Sequence, residues 1–270
     1  MNLGLTTKRA LVTAASQGIG RAVAYRLAAE GATVALSSRP GERLSAAVAG
    51  FSADPLAAPS TSCGSIRAFP ADLSDADATE RLVTTVVAEF RSIDIVVVNT
   101  PGPPLLPVLE TTTRHWIEAY EQLLRPAIQL GVAVGRVMKA QKTGSIVFMT
   151  STWVKQPAAG GVLSAVFRAG VAALAKQLAI ELAPFGVRVN QVMPGATETE
   201  RTRTVISAKA RVLGISDQEQ RARSQGEIPL GRMAAPEEIA NAVVFLASDA
   251  SGFTTGATLQ VDGGVIRSVL

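Results

Sequence analysis

The chain has 270 residues, with 26 Lys and Arg against 22 Asp and Glu for a formal charge of +4, and 47% of it is hydrophobic. Charged residues make up only 18%, against ~25% in ordinary globular chains, which argues against disorder and suggests surface reserved for partner subunits. A single Cys (Cys63) and a single His (His115) exclude an intrachain disulfide framework and argue against a zinc site, and so small a basic surplus without an aromatic stripe argues against nucleic-acid binding.

From the N-terminus, Lys8-Arg9 followed by an apolar run superficially imitates a signal peptide. The run is too short and ends in Gln17-Gly18-Ile19-Gly20, so it reads as a buried strand over 9–13. The longest apolar candidate for a membrane span, 95–109, contains four prolines, and a soluble, cytoplasmic protein with no membrane partner is expected. Further strands are predicted over 33–37, 65–69, 94–98, 145–149, 187–192 and 258–261. Helices are predicted near 18–29, 41–49, 74–90, 112–140, 161–183 and 236–248, with Ser74-Asp75 and Pro236-Glu237-Glu238 as helix-start signals. This alternation predicts a doubly wound, Rossmann-type α/β fold: a parallel sheet of about seven strands, helices on both faces, in one domain over 1–270.

Two stretches break the alternation. The segment 50–65, rich in Ala, Ser and Pro and containing Cys63, reads as a surface loop. The segment 198–227 carries Arg201, Arg203, Lys209, Arg211, Arg221 and Arg223 and follows a strand end, which suits a substrate lid; a solvated, salt-bridged helix pair is the alternative.

The first strand-to-helix turn is Thr13-Ala14-Ala15-Ser16-Gln17-Gly18-Ile19-Gly20. A glycine pair there lets a pyrophosphate approach the backbone and sit on the helix N-terminus. Past the second strand the chain reads Ser37-Ser38-Arg39, with no acid to accept from a ribose 2′-OH. The guanidinium of Arg39 suits a 2′-phosphate instead, so NADP is expected in preference to NAD.

These residues resemble the short-chain dehydrogenase/reductase family over essentially the whole chain, and most of all its 3-oxoacyl carrier-protein reductases. The turn at 13–20 resembles the family's Thr-Gly-x-x-x-Gly-x-Gly, Asp72-Leu73 its adenine-binding acid, and Val98-Asn99-Thr100-Pro101-Gly102 its Asn-Asn-Ala-Gly. Pro194-Gly195-Ala196-Thr197-Glu198-Thr199 resembles its nicotinamide-contacting Pro-Gly segment. Gly231-Arg232, Pro236-Glu-Glu-Ile-Ala240, Phe245-Leu-Ala-Ser-Asp249 and Val261-Asp-Gly-Gly264 are the most specific matches. The resemblance implies cofactor contacts from Thr13, Ala14, Ser16 to Gly20, Ser38, Arg39, Asp72, Leu73, Asn99, Pro194, Gly195 and Thr197.

The family's catalytic set is Asn, Ser, Tyr and Lys, in which tyrosine donates a proton to the carbonyl oxygen and lysine lowers its pKa and holds the nicotinamide ribose. Here the serine position is Ser151, the tyrosine position thirteen residues on is Ser164, and the lysine position is Arg168. Leu123 takes the place of Asn, and Ala14 that of the first glycine. An aliphatic hydroxyl is a far weaker acid than a phenol, so Ser164 is the largest loss. Arg168 keeps the charge and can still hydrogen-bond a ribose. Lys155 on the loop after Ser151 is a candidate replacement for the proton donor or a substrate-anion site, with a solvated loop lysine as the alternative. Tyr25 is expected to pack behind the phosphate loop, Tyr120 to stay outside the cleft, and His115 to cap or pack its helix.

Three functions remain open at this level. The first is an NADP-dependent oxidoreductase acting on a carbonyl or hydroxyl compound, with a 3-oxoacyl thioester as the family-derived substrate. The second is a non-redox isomerase, dehydratase or cyclase on the same fold, and the third a catalytically silent subunit. Helices 112–140 and 161–183 are apolar on more faces than one sheet can cover, so a homodimer or homotetramer built on a four-helix contact, as in the family, is expected.

Overall fold

The computed structural model describes residues 2–54 and 64–269. Its strands are β1 (Arg9–Val12), β2 (Thr33–Ser38), β3 (Ser65–Pro70), β4 (Ile95–Val98), β5 (Gly144–Met149), β6 (Val187–Pro194) and β7 (Thr258–Val261). They form one parallel sheet in the order β3-β2-β1-β4-β5-β6-β7. The order reverses between β1 and β4, where crossovers leave toward opposite faces and open a crevice at the carboxyl ends of the strands. β4 is buried at all four positions, as a strand covered on both faces requires.

The helices are α1 (Gly18–Ala29), α2 (Glu42–Phe51), α3 (Ala76–Phe90), α4 (Thr113–Ala119), α5 (Arg125–Gln141), α6 (Val162–Leu182), α7 (Glu200–Leu213), α8 (Asp217–Gly226) and α9 (Pro236–Ala247). α1, α2 and α9 bury Val23, Leu27, Leu44 and Val243 against one face of the sheet. α3, α5 and α6 bury Leu82, Val86, Leu130, Val134, Val171 and Ala175 against the other.

Helix starts follow their polar signals. Asp75 accepts from the backbone N–H groups of Asp77 and Ala78 at 2.9 and 3.2 Å. Glu238 accepts from Ala235 N at 2.8 Å and from Arg232 through both oxygens at 2.6 and 2.7 Å. Those bonds, the Arg232 fork first, hold the Glu238 carboxyl down to about 2. His115 caps α4, its Nδ1 accepting from Thr112 N at 3.2 Å.

Two expectations need correction. The helix expected over 112–140 is interrupted by a wide turn of π type at Tyr120–Leu124, which divides α4 from α5. Gly50 and Phe51 belong to α2, not to a loop, because Phe51 is buried against Tyr25 at 5.3 Å between ring centroids; the rest of that loop reading, including Cys63, lies outside the described residues. The charged segment 198–227 forms the helix pair α7 and α8, with the ion pairs Arg221–Glu198 and Arg223–Glu219, in line with the helix-pair alternative read from the sequence.

The stretch Val162–Phe185 is long and apolar enough to cross a membrane by length and composition. It buries Leu163, Val171, Ala175, Ala179 and Leu182 in the core, and carries Arg168 and Lys176, which makes it a core helix of the α/β layer.

Candidate active site

The crevice at the switch between β1 and β4 holds a cleft of about 1210 Å³. Its floor begins at the β1–α1 turn. Thr13 is fully buried, donates to Asn99 O at 2.7 Å and accepts from Asn99 N at 3.0 Å, which stitches the ends of β1 and β4 together. Asn99 Nδ2 then donates to Ala14 O at 3.2 Å and fixes the turn. Ala14 has a φ of +47°, a left-handed conformation that costs a residue with a Cβ about 1 kcal/mol. Gly18 has a φ of +57°. A methyl on Gly20 would lie 2.7 Å from Ala14 O and 2.9 Å from Ala15 Cα, so only glycine lets α1 start this close to the turn.

Ala14, Ser16, Gln17, Gly18 and Ile19 line the cleft, whereas Thr13 and Gly20 shape it from behind. At its far end Ser38, Arg39, Asp72 and Leu73 line the same space. Arg39 is exposed there. Burial opposes ionisation of Asp72, but hydrogen bonds from Ser74 N and Oγ at 2.9 and 2.7 Å, with the Arg39 charge, outweigh it and lower its pKa. This geometry fits an adenosine with a 2′-phosphate: a glycine-framed turn at a helix N-terminus, then a cation beside a polar ribose site.

Toward the other end, β5 delivers Ser151 and α6 delivers Ser164 and Arg168, and all three line the cleft. Ser151 caps a short 3-10 turn by accepting from Trp153 N at 3.3 Å. Ser164 and Arg168 stand one helical turn apart, and both are buried, at 7% and 9% exposure. Arg168 Nη1 donates to Met149 O at 2.7 Å, and no carboxylate lies within ion-pair distance of it among the described residues. Burial first, and the neighbouring Arg201 second, push its pKa down to about 10, which still leaves it cationic at neutral pH.

Pro194, Gly195 and Thr197 also line the cleft, at the end of β6. Thr197 donates to Gly195 O at 3.1 Å, and Gly195 packs against the backbone of Asp262, where a Cβ would sit 2.7 Å from its Cα. Lys155 is exposed and does not line the cleft; its neighbour Gln156 does. Neither tyrosine lines it. Tyr25 donates to Ala47 O at 2.6 Å behind the phosphate turn, and Tyr120 stacks near Phe167 at 6.3 Å. Leu123 is wholly buried in the core, yet its neighbour Gln122 faces the cleft from the π turn.

From α7, α8 and their flanks Thr199, Arg201, Thr202, Val205, Ile206, Lys209, Ser224 and Glu227 line the cleft; sequence reasoning placed Arg201 and Lys209 in a candidate lid but named none of the eight as a site residue. Thr199 caps α7, accepting from Thr202 N at 3.2 Å, and its methyl would lie 3.3 Å from a Cβ on Gly18, so α7 begins directly against the phosphate turn. Arg43 joins the same rim, donating to Gln17 Oε1 at 3.3 Å and lying 3.6 Å from Glu200. The recurring i, i+4 spacing of Arg201, Val205 and Lys209 was the available signal.

A doubly wound sheet whose switch-point cleft runs from a glycine turn to a cluster of hydroxyls and a buried cation defines a Rossmann-type α/β protein. The chain belongs to the short-chain dehydrogenase/reductase family. The family described as enoyl-(acyl carrier protein) reductase matches residues 13–266. An L-rhamnose 1-dehydrogenase (NAD(P)(+)) from Azotobacter vinelandii is 33% identical over 264 residues, 97% of each chain. A 3-oxoacyl-[acyl-carrier-protein] reductase from Escherichia coli is 34% identical over 258 residues, covering 96% of this chain and 97% of its own. The crystal structure of L-sorbose reductase from Gluconobacter frateurii, complexed with NADPH and L-sorbose, superposes with a TM-score of 0.90 at 26% identity over 100% of both chains.

Proposed function

We propose that the chain is an NADP-dependent oxidoreductase acting on a carbonyl or hydroxyl compound with an atypical catalytic set. One observation carries the reading: a single cleft joins the phosphate turn and Arg39 at one end to Ser151, Ser164 and the carboxylate-free Arg168 at the other. The NADPH complex of L-sorbose reductase supports the cofactor assignment.

The turn Ala14–Ile19 would hold the pyrophosphate, Arg39 and Ser38 the 2′-phosphate, Asp72 and Leu73 the adenine, and Asn99, Pro194, Gly195 and Thr197 the nicotinamide half. When bound, NADPH supplies a hydride for the carbonyl carbon. Ser151 and Ser164 orient the carbonyl oxygen, and Arg168 stabilises the negative charge that grows on it. Arg168 keeps its proton at neutral pH, so the oxygen is protonated by solvent in the open cleft. A positioned acid contributes typically 10²–10⁴-fold, and its loss predicts slow turnover relative to tyrosine-bearing relatives. The substrate class is a small carbonyl compound or a 3-oxoacyl thioester.

The test is NADPH oxidation with a panel of ketones, sugars and 3-oxoacyl thioesters. Failure to bind NADPH or NADH at millimolar concentration would overturn the reading.

A non-redox isomerase, dehydratase or cyclase is the second reading, favoured by the absence of either tyrosine from the cleft lining. Product formed without change in nicotinamide absorbance would select it. A silent subunit, the third, would bind no substrate at all. The segment 198–227 serves as the lid of a single domain spanning 1–270, in a cytoplasmic homodimer or homotetramer. Its assembly surface is the side of α4, α5 and α6 that exposes Ile117, Val132, Val166 and Ile180.

A further inference from the structure

We propose that the substrate carries an anionic group, a carboxylate or phosphate, and that Arg201 on α7 binds it. The proposal rests on the oxidoreductase reading above only for what happens after binding.

α7 presents Arg201, Val205 and Lys209 to the cleft at four-residue spacing, on one helical face. Arg168 reaches the same space from α6. The nearby acids are largely engaged elsewhere: Glu198 pairs with Arg221, and Glu200 lies 3.6 Å from Arg43. Among the described residues no carboxylate lies within ion-pair distance of Arg201 or Arg168. Glu227 is the one acid left facing this half of the cleft.

The Arg201 guanidinium is held in place. Its Nη2 donates to Pro103 O, so it bridges α7 to the loop after β4. It lies flat on Gly102, where a methyl would come within 3.0 Å of Nε. A guanidinium offers five N–H donors. Among the described residues this bond is the one recorded for Arg201, and the bond to Met149 O the one recorded for Arg168. Desolvation lowers the Arg201 pKa, and Arg201 in turn lowers that of Arg168. Arg168 is buried and Arg201 is an exposed residue, yet each guanidinium is fixed by a backbone carbonyl, and two such like charges facing one cleft are stabilised by an anion placed with them. Beside them the buried Ile206, Ile228 and Met233 form an apolar wall suited to a short carbon chain. An oxo acid joins both features.

The cofactor pyrophosphate is the other source of the same chemistry, because α7 begins against the phosphate turn. The experiment separates the two. The protein saturated with NADPH is titrated by calorimetry with 3-, 4- and 5-oxo acids and their methyl esters, and NADPH affinity is measured separately. For at least one chain length the acid should bind about tenfold or more tighter than its ester, as one charge-assisted bidentate contact supplies about 1.5–3 kcal/mol, or 10–100-fold. Arg201→Met should erase that difference while NADPH affinity stays within about twofold, and Arg201→Lys should retain part of it. Equal affinity for acids and esters, binding of neither, or an acid preference that survives in Arg201→Met would overturn the proposal. So would a parallel loss of NADPH affinity, which would assign Arg201 to the pyrophosphate. NADPH oxidation is read on the same samples: an acid that binds through Arg201 but is not reduced refutes the oxidoreductase reading and leaves the anion site standing.

Discussion

Arg168 donates from Nη1 to the carbonyl oxygen of Met149 at 2.7 Å, tying α6 to the last residue of β5 just before Ser151. The contact fixes a buried cation at the point where the cleft meets the sheet. Burial, and after it the Arg201 charge, lowers the Arg168 pKa from the ordinary arginine value to about 10, so the folded state disfavours the charged form. That cost is present at every pH below about 10 and fades as the pH rises above it toward the ordinary arginine value.

Replacing Arg168 with Met should therefore separate activity from stability. Turnover is expected to fall about 10²–10³-fold, the usual loss of one stabilising donor, while the thermal midpoint at neutral pH is no lower than wild type. Steady-state kinetics and calorimetry check the two arms.

The double variant Ser164→Tyr/Arg168→Lys restores the residue types of the family motif. Carbonyl reduction should rise by about 10²-fold or more, because a phenol of pKa ~10 regains the acid's position. The increase is read as kcat with saturating NADPH.

Arg39→Ala should weaken NADPH binding by about 10–100-fold, the worth of one charge-assisted contact of about 1.5–3 kcal/mol, and leave NADH binding nearly unchanged. Fluorescence titration with both cofactors measures the ratio.

Ala14→Gly should relieve the left-handed φ of +47° and stabilise the turn by up to about 1 kcal/mol, partly offset by the greater freedom of glycine in the unfolded chain. Gly20→Ala should do the opposite, since its methyl meets backbone at 2.7 Å. Urea unfolding compares the pair.

Glu238 supplies a pH test of the α9 start. Its folded pKa of about 2 lies below the ordinary glutamate value of 4.5, so its contribution is present above 4.5 and is lost as pH falls toward 2. Glu238→Gln should lower the thermal midpoint near neutrality, and its gap from wild type should narrow over that acid window.

Much of the architecture was legible along the chain. Strand periodicity, the glycine turn and the capping signals predicted all seven strands within a few residues, because those features are local. The π turn at Tyr120–Leu124 was not, since one extra residue in a helical turn leaves the apolar spacing of its neighbours almost intact. Ser151, Ser164 and Arg168 were assigned by the offsets that the family resemblance implies after β5, and the structure brings all three to one cleft. Lys155 was singled out on a loop whose direction no pattern specifies, and it is exposed and does not line the cleft.

The sequence by itself determined the sheet and the glycine turn after β1, because each is a matter of residue type at a fixed offset along a local element. Tertiary structure alone decided which charges are spent. Whether Arg201 pairs with an acid, rests on Gly102 or faces the cleft depends on residues about a hundred positions away in the chain, brought within hydrogen-bond range by the packing of α7 beside the loop after β4.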